Sequence, residues 1–211
     1  MKKLIFATQN DGKLNQVREL LKLNNVEGFE ITSAKEVGFF DDVEETGKTF
    51  EENAYIKAEA LNNYCKKNNI NDVIIFADDS GLCVDKLDGA PGLYSARFAG
   101  EGATDEEKRE KIMEYMKEYQ EDKDRTASFI TVMVAILPNK EKIIGKGVCE
   151  GRITKKIGET PSKLTYNQVL IPSGFNKPIS ELTEDEFKRV HHHREEALLQ
   201  LIKQLQEIKC G

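Results

Sequence analysis

The chain has 211 residues, 39% hydrophobic and 32% charged, with a formal net charge of -6. That composition supports one sizeable core under a well-solvated surface and excludes disordered and fibrous classes. With Asp+Glu 37 against Lys+Arg 31, the basic surplus of a long nucleic-acid groove is missing. A small phosphorylated ligand needs only a few local cations, often with a metal.

Leu4 to Ala7 reads as a short buried strand, followed by a polar turn, Gln9 to Gly12, and a helix from about Lys13 to Leu23. Leu14, Val17, Leu20 and Leu21 share one helical face. The strand–loop–helix order is that of an α/β unit. The apolar run after Met1-Lys2-Lys3 is too short for a signal peptide, and no stretch approaches membrane-spanning length. Thr8-Gln9-Asn10-Asp11-Gly12-Lys13 sits where free backbone N–H groups and the helix dipole favour an anion. Taken alone it carries little weight, and an ordinary strand-to-helix turn is the favoured reading.

Thr49 and Glu52 form a T-x-x-E capping pattern, with Ala54, Ala58, Leu61 and Cys65 following at helical spacing. Upstream lies Glu44-Glu45-Thr46-Gly47. One of these carboxylates could share a metal, and Lys57 could reach a phosphate. An acidic surface loop is the plain alternative.

Val73 to Ala77 reads as a fully buried strand, with Asp78-Asp79-Ser80-Gly81 directly after it. Strand ends are where open α/β sheets place ligand chemistry. Two carboxylates there repel unless a cation or proton intervenes, and hard oxygen ligands suit Mg²⁺. A solvated turn is the competing reading.

Gly89-Ala90-Pro91-Gly92 predicts a shaped loop. A second capping pattern, Thr104 with Glu107, opens a helix reaching about Tyr119. Ala127–Leu137 and Lys142–Ile153 read as a hairpin around Pro138-Asn139. A third, Thr183 with Glu186, opens a helical region whose apolar stripe runs through Phe187, Val190, Leu198, Leu201 and Leu205. Arg194 falls in that phase, where burial is costly unless it pairs with something. A break near His192 would remove that reasoning. The histidines, His191-His192-His193, cannot all face one metal from a helix, so zinc is the poorer reading. Cys65, Cys83, Cys149 and Cys210 show no CxxC pair, which argues against disulfide or zinc frameworks and for a reducing cytoplasm. The elements predict an α/β architecture with one mixed sheet flanked by helices and a cleft.

Several segments, in order and spacing, resemble the signatures of the inosine-triphosphatase (Ham1-like) family. They are Thr8-x-Asn10-x-x-Lys13, Glu44-Glu45-Thr46-Gly47-x-Thr49-Phe50-x-Glu52-Asn53-Ala54-x-x-Lys57-Ala58, and Ala77-Asp78-Asp79-Ser80-Gly81-Leu82. Gly89-Ala90-Pro91-Gly92-x-Tyr94-Ser95-Ala96-Arg97, Glu150-Gly151-Arg152-Ile153 and His193-Arg194 complete the set. The resemblance implies an elongated α/β fold with two lobes and a cleft, a single domain over 1–211, and a cytoplasmic homodimer that binds neither nucleic acid nor membrane. It implies Mg²⁺-dependent hydrolysis of noncanonical purine nucleoside triphosphates to monophosphate and pyrophosphate, cleansing the nucleotide pool. By analogy Asp79 is general base and metal ligand, and Glu44 helps hold Mg²⁺. Asn10, Lys13 and Lys57 bind the phosphates, and Thr8 and Ser80 also bind the substrate. Leu164, Asn167, Lys188, His193 and Arg194 are expected at the base, and Tyr166 is expected to bind substrate, where it could take over stacking.

The resemblance departs at Lys163-Leu164-Thr165-Tyr166-Asn167-Gln168, where relatives carry Gly-Phe-Gly-Tyr-Asp-Pro, and at Gln16, where they carry Glu. Leu164 replaces an aromatic whose base stacking is worth on the order of 1–3 kcal/mol. Two alternatives therefore stay open: the same chemistry with altered base specificity, and a nucleotide-binding protein with little turnover.

Overall fold

The computed structural model describes residues 1–208; Cys210 lies outside them. The chain divides into two compact units. Unit 1 comprises Met1–Asp79, Thr131–Gly147 and Arg194–Gly211; unit 2 comprises Ser80–Ile130 and Val148–His193. A six-stranded sheet has the order β2-β1-β3-β4-β5-β6. Its strands are β1 (Lys2–Phe6), β2 (Phe29–Ser33), β3 (Val73–Val84), β4 (Thr126–Ile136), β5 (Lys142–Ile153) and β6 (Leu170–Pro172). β1 pairs in parallel with β2 and β3, and β5 pairs antiparallel with β6, so the sheet is mixed, as predicted.

In unit 1, helix α1 (Asp11–Leu23) begins where Asn10 Oδ1 accepts the Lys13 N–H at 3.2 Å. Helix α2 (Phe50–Lys67) begins where Thr49 Oγ1 accepts the Glu52 N–H at 3.1 Å. Each cap satisfies one of the amide groups that a helix start leaves without an intrahelical partner. The pleat then sorts the strand residues. Leu4, Phe6, Ile74 and Phe76 pack with Leu14, Val17, Leu20 and Leu21 of α1 and with helix α5 (His193–Glu207). Ile5, Ile75 and Ala77 point the other way, into a cluster with Ala58, Leu61 and Cys65 of α2. α5 runs so close to β5 that a Cβ at Gly145 would collide with the Ala197 carbonyl oxygen.

Unit 2 has its own core, in which Leu82, Val84, Phe129, Cys149 and Ile153 of the strands meet Ile112 and Met116 of helix α3 (Asp105–Met116). Both halves of the Thr104–Glu107 capping box form. Arg125 is buried here and donates to four carbonyls, those of Met116, Tyr119, Ile153 and Thr154. It ties the end of α3 to the sheet.

Several expectations need correction. β3 does not stop before the carboxylates; it continues through Asp78, Asp79 and Ser80 to Val84, so the Asp-Asp-Ser-Gly segment is strand and not turn. Helix α3 ends at Met116, short of Tyr119. The C-terminal helical region is broken into α4 (Glu184–Phe187) and α5, so Phe187 is 39% exposed and off the buried stripe. β2 and β6 carried no sequence expectation; both are short, at five and three residues. Among the described residues no helix is long and apolar enough to cross a membrane, and Cys65, Cys83 and Cys149 are free thiols.

Candidate active site

The densest arrangement of charge in unit 1 is built on the end of its part of β3. Adjacent strand residues point to opposite faces, so Asp78 and Asp79 do not share one space. Asp78 follows Ile74 and Phe76 to the α1 and α5 side. It is buried, lies 2.9 Å from Lys13 Nζ, and has Arg194 of α5 at 3.5 Å. Asp79 follows Ile75 and Ala77 to the α2 side. Its Oδ1 lies 3.3 Å from Lys57 Nζ, and its Oδ2 accepts from Asn53 Nδ2 at 3.2 Å. The pleat turns the neighbouring carboxylates to opposite faces and gives each a separate cation partner, Lys13 with Arg194 for Asp78 and Lys57 for Asp79, although Asp78 still adds to the upward push on Asp79.

The two acids differ electrostatically. Burial pushes Asp78 up, but the Lys13 ammonium, the Arg194 guanidinium and, farther off, Lys57 outweigh it and hold the carboxyl well below the ordinary range. Asp79 is raised above the ordinary carboxylate value by burial, against the pull of Lys57 and with a further push from Glu45. Lys13 is lowered, first by burial, then by Arg194 and Lys57, with Asp78 opposing. Lys57 is raised, because Asp79, Asp78 and Glu45 together overcome its burial. Asp78 is therefore a fixed negative charge, whereas Asp79 is a more basic carboxylate suited to accept a proton.

The remaining expected residues of unit 1 fall around this cluster. Thr8 is buried and its Oγ1 accepts the Asn10 N–H at 3.1 Å, shaping the turn into α1. Asn10 caps α1, so Lys13 stands in the first helical turn. Of the two neighbouring glutamates, the structure brings Glu45 to Lys57 at 2.8 Å, while Glu44 is exposed in the same segment. Asn53 holds that segment from the other side, accepting the Gly47 N–H at 2.8 Å.

Arg194 is buried as the spacing suggested, but for a different reason. With the helix broken before α5, the phase from Phe187 no longer applies; Arg194 is placed by α5 alone, opposite Asp78 and with Gln16 Oε1 accepting at 2.7 Å. Gln16 as a partner of Arg194 was not read from the sequence, although its position three residues after Lys13 puts both on one helical face.

In unit 2, Ser80 is half-buried beside Gly81, whose hypothetical Cβ would collide with the Gly92 carbonyl. Ser95 Oγ closes that contact, accepting the Leu82 N–H at 3.0 Å and donating to Gly92 O at 2.6 Å. Leu164 and Asn167 are half-buried and flank a short 3-10 turn, Thr165–Gln168. Tyr166, expected at the substrate, has its ring in the unit 2 core, and its hydroxyl donates to Ser95 O at 2.7 Å. Burial accordingly pushes its phenol up. Lys188 is exposed and pairs with Glu184 at 2.8 Å and Asp185 at 3.8 Å. The His193 ring stacks on Phe129 at 5.2 Å.

The oxygen donors fit a hard divalent cation. Among the described residues no group of three or more His, Cys, Asp or Glu is arranged around one point. Asp79 and Glu45 both face Lys57 Nζ, so two carboxylates already converge on one positive charge. Mg²⁺ commonly takes one or two protein carboxylates and completes its octahedron with water and substrate phosphates.

Residues 4–204 match the model of the Ham1 family. A dITP/XTP pyrophosphatase of Clostridium perfringens is 41% identical over 201 residues, 95% of this chain and 96% of that one. Another, of Bacillus subtilis, is 38% identical, covering 98% of each. Among solved structures, a Ham1 protein of Coxiella burnetii matches with a TM-score of 0.82 and 33% identity over 98% of this chain and 100% of that one. The Staphylococcus aureus Ham1 protein gives 0.79 and 32%, over 99% and 100%. With the fold, the motif order and nearly the whole length in agreement, this chain belongs to the Ham1 family.

Proposed function

We propose that this chain hydrolyses noncanonical purine nucleoside triphosphates, of the dITP and XTP kind, to monophosphate and pyrophosphate. The observation that carries the reading is the division of labour along β3: Asp78 is a permanently charged anchor for Lys13 and Arg194, and Asp79 is a raised, buried carboxylate between Lys57 and Asn53. Lys13, with the N-terminal amides of α1, binds phosphate oxygens. Lys57 is a second cation for the chain of phosphates. Asp79 accepts at a carboxylate oxygen the proton of a water whose oxygen bonds to phosphorus, as the phosphoanhydride bond between the α- and β-phosphates breaks to give monophosphate and pyrophosphate. Mg²⁺ held by Asp79 and a carboxylate of the Glu44–Glu45 pair would offset negative charge on the phosphates and on the leaving group. Lys57 would then give up its contact to Asp79 and turn to substrate.

The base is assigned to Leu164, Asn167, Lys188 and His193 of unit 2, on the family resemblance. Leucine covers a base without a π face, and asparagine both donates and accepts where a carboxylate only accepts. These two residues favour a base preference that differs from that of relatives with an aromatic and an acid. A homodimer in the cytoplasm, binding neither membrane nor nucleic acid, belongs to the same reading.

A screen of nucleoside triphosphates with Mg²⁺, following pyrophosphate and monophosphate together, tests the proposal. Equal amounts of the two, with dITP, ITP or XTP preferred, are expected. Diphosphate with orthophosphate would move the chain to another phosphohydrolase class. Tight binding without turnover would leave a nucleotide-binding protein.

A further inference from the structure

The turn that follows Leu164 is gripped by one face of α3. Thr165 Oγ1 donates to Asp105 Oδ1 at 2.8 Å, and Arg109 Nη1 donates to the Thr165 carbonyl at 3.1 Å. Asp105 and Arg109 are four residues apart, one helical turn, so both reach the same residue from one side of the helix. One takes its side chain and the other its backbone. Arg109 Nε is buried without a hydrogen-bond acceptor, which makes the carbonyl contact costlier to lose. The start of α3 is itself fixed by the Thr104–Glu107 capping box. Downstream, Tyr166 is held through its hydroxyl to Ser95 O, and Gln168 Nε2 donates to Gly158 O at 2.6 Å. Positions 165, 166 and 168 are therefore anchored, while half-buried Leu164 directly precedes them and half-buried Asn167 lies among them.

We infer that Asp105 and Arg109 are positioning residues for base recognition: through Thr165 they hold the turn that presents Leu164 and Asn167. The inference rests on the proposed function, in which those two residues meet the base. Neither Asp105 nor Arg109 touches substrate or reacting atoms. Their contribution is to settle the turn before binding, so that its ordering entropy is not subtracted from binding energy.

The test uses the full chain with Thr165→Val, which keeps the shape and removes the hydroxyl, and with Asp105→Ala and Asp105→Asn. The asparagine retains an acceptor oxygen for Thr165. Thr165→Val and Asp105→Ala should each raise KM for dITP about three- to tenfold, the net worth of one ordinary hydrogen bond, with kcat unchanged. The double variant should lose no more than either single one. Asp105→Asn should restore most of the KM. Inhibition by inorganic pyrophosphate should stay as in wild type, because the phosphate cluster lies on other elements. Amide hydrogen exchange across 164–168 reads the turn independently of activity and should quicken in Thr165→Val and Asp105→Ala. Unchanged exchange would overturn the positioning role. Faster exchange with unchanged KM would also overturn it, placing the fault in the assignment of Leu164 and Asn167 to the base. Additive single losses would show that Asp105 and Thr165 act separately and would sink the coupling.

Discussion

Replacing Asp78 by asparagine tests the charge arrangement of unit 1 most directly. The side chain keeps its shape, but one buried negative charge disappears from between Lys13 at 2.9 Å and Arg194 at 3.5 Å. The two cations respond differently. The Lys13 side chain is 23% exposed and can turn its ammonium toward water. Arg194 is 4% exposed, and its guanidinium keeps the neutral Gln16 oxygen at 2.7 Å. Removing one partner of a buried ion pair typically costs about 3–5 kcal/mol, and rehydration of Lys13 places this case near the lower end, about 3 kcal/mol. For a chain of this size that lowers Tm by about 6–12 °C. Urea unfolding followed by circular dichroism, on wild type, Asp78→Asn, Arg194→Met and the double variant, measures the loss and the coupling. The double variant should be less destabilised than the sum of the singles, since removing Arg194 also removes the stranded charge. The pH dependence supplies a second arm. A carboxyl held below its unfolded value of 3.8 stabilises the fold fully above that value, and the contribution is lost as pH falls from there through the folded value. The gap between wild type and Asp78→Asn should therefore be flat from neutral pH to about pH 5 and close only in stronger acid. A loss below about 1 kcal/mol at neutral pH, or a gap already closing above about pH 5, would refute the buried ion-pair reasoning.

Asp79→Asn should leave stability within about 1 kcal/mol of wild type but cut turnover by about 10²–10⁴-fold, as loss of a general base does; near-normal turnover in a steady-state assay would move the proton-accepting role elsewhere. EDTA should abolish activity and Mg²⁺ restore it. Because burial raises Asp79, with Glu45 adding to it, a proton competes with the metal from above the ordinary value of 3.8, so Mg²⁺ affinity measured by titration calorimetry should fall as pH drops toward that window. Leu164→Phe supplies a stacking face and should lower KM for inosine triphosphate by roughly one to two decades, the equivalent of about 1–3 kcal/mol of stacking; equal KM values in the two proteins would remove Leu164 from base recognition.

The sequence by itself determined the features whose physics is local. The starts of α2, α3 and α4 were legible because a cap is a contact between a side chain and a backbone amide three residues on, at Thr49, Thr104 and Thr183, whereas the Asn10 cap of α1 was not read and that helix begins at Asp11, before the expected Lys13. The β4–β5 pair was legible as two runs of β-forming residues about a turn, now closed by the Leu137 N–H to Glu141 O at 2.9 Å. The motifs also located the acidic pair and its lysines. Only the tertiary structure decided what those residues do to one another. Asp78 and Asp79 were expected just past the end of a strand, with a solvated turn as the competing reading; they lie within β3, where cations from 65 and 22 residues away, Lys13 and Lys57, meet them on opposite faces. Arg194 completes that balance from 116 residues away, on a helix whose true start the run of apolar spacing concealed. Likewise nothing local to Tyr166 shows that its hydroxyl reaches Ser95, 71 residues earlier. Periodicity and capping report energies that decay within a turn or a strand, whereas burial of a charge is settled by whichever distant residue the fold brings to it.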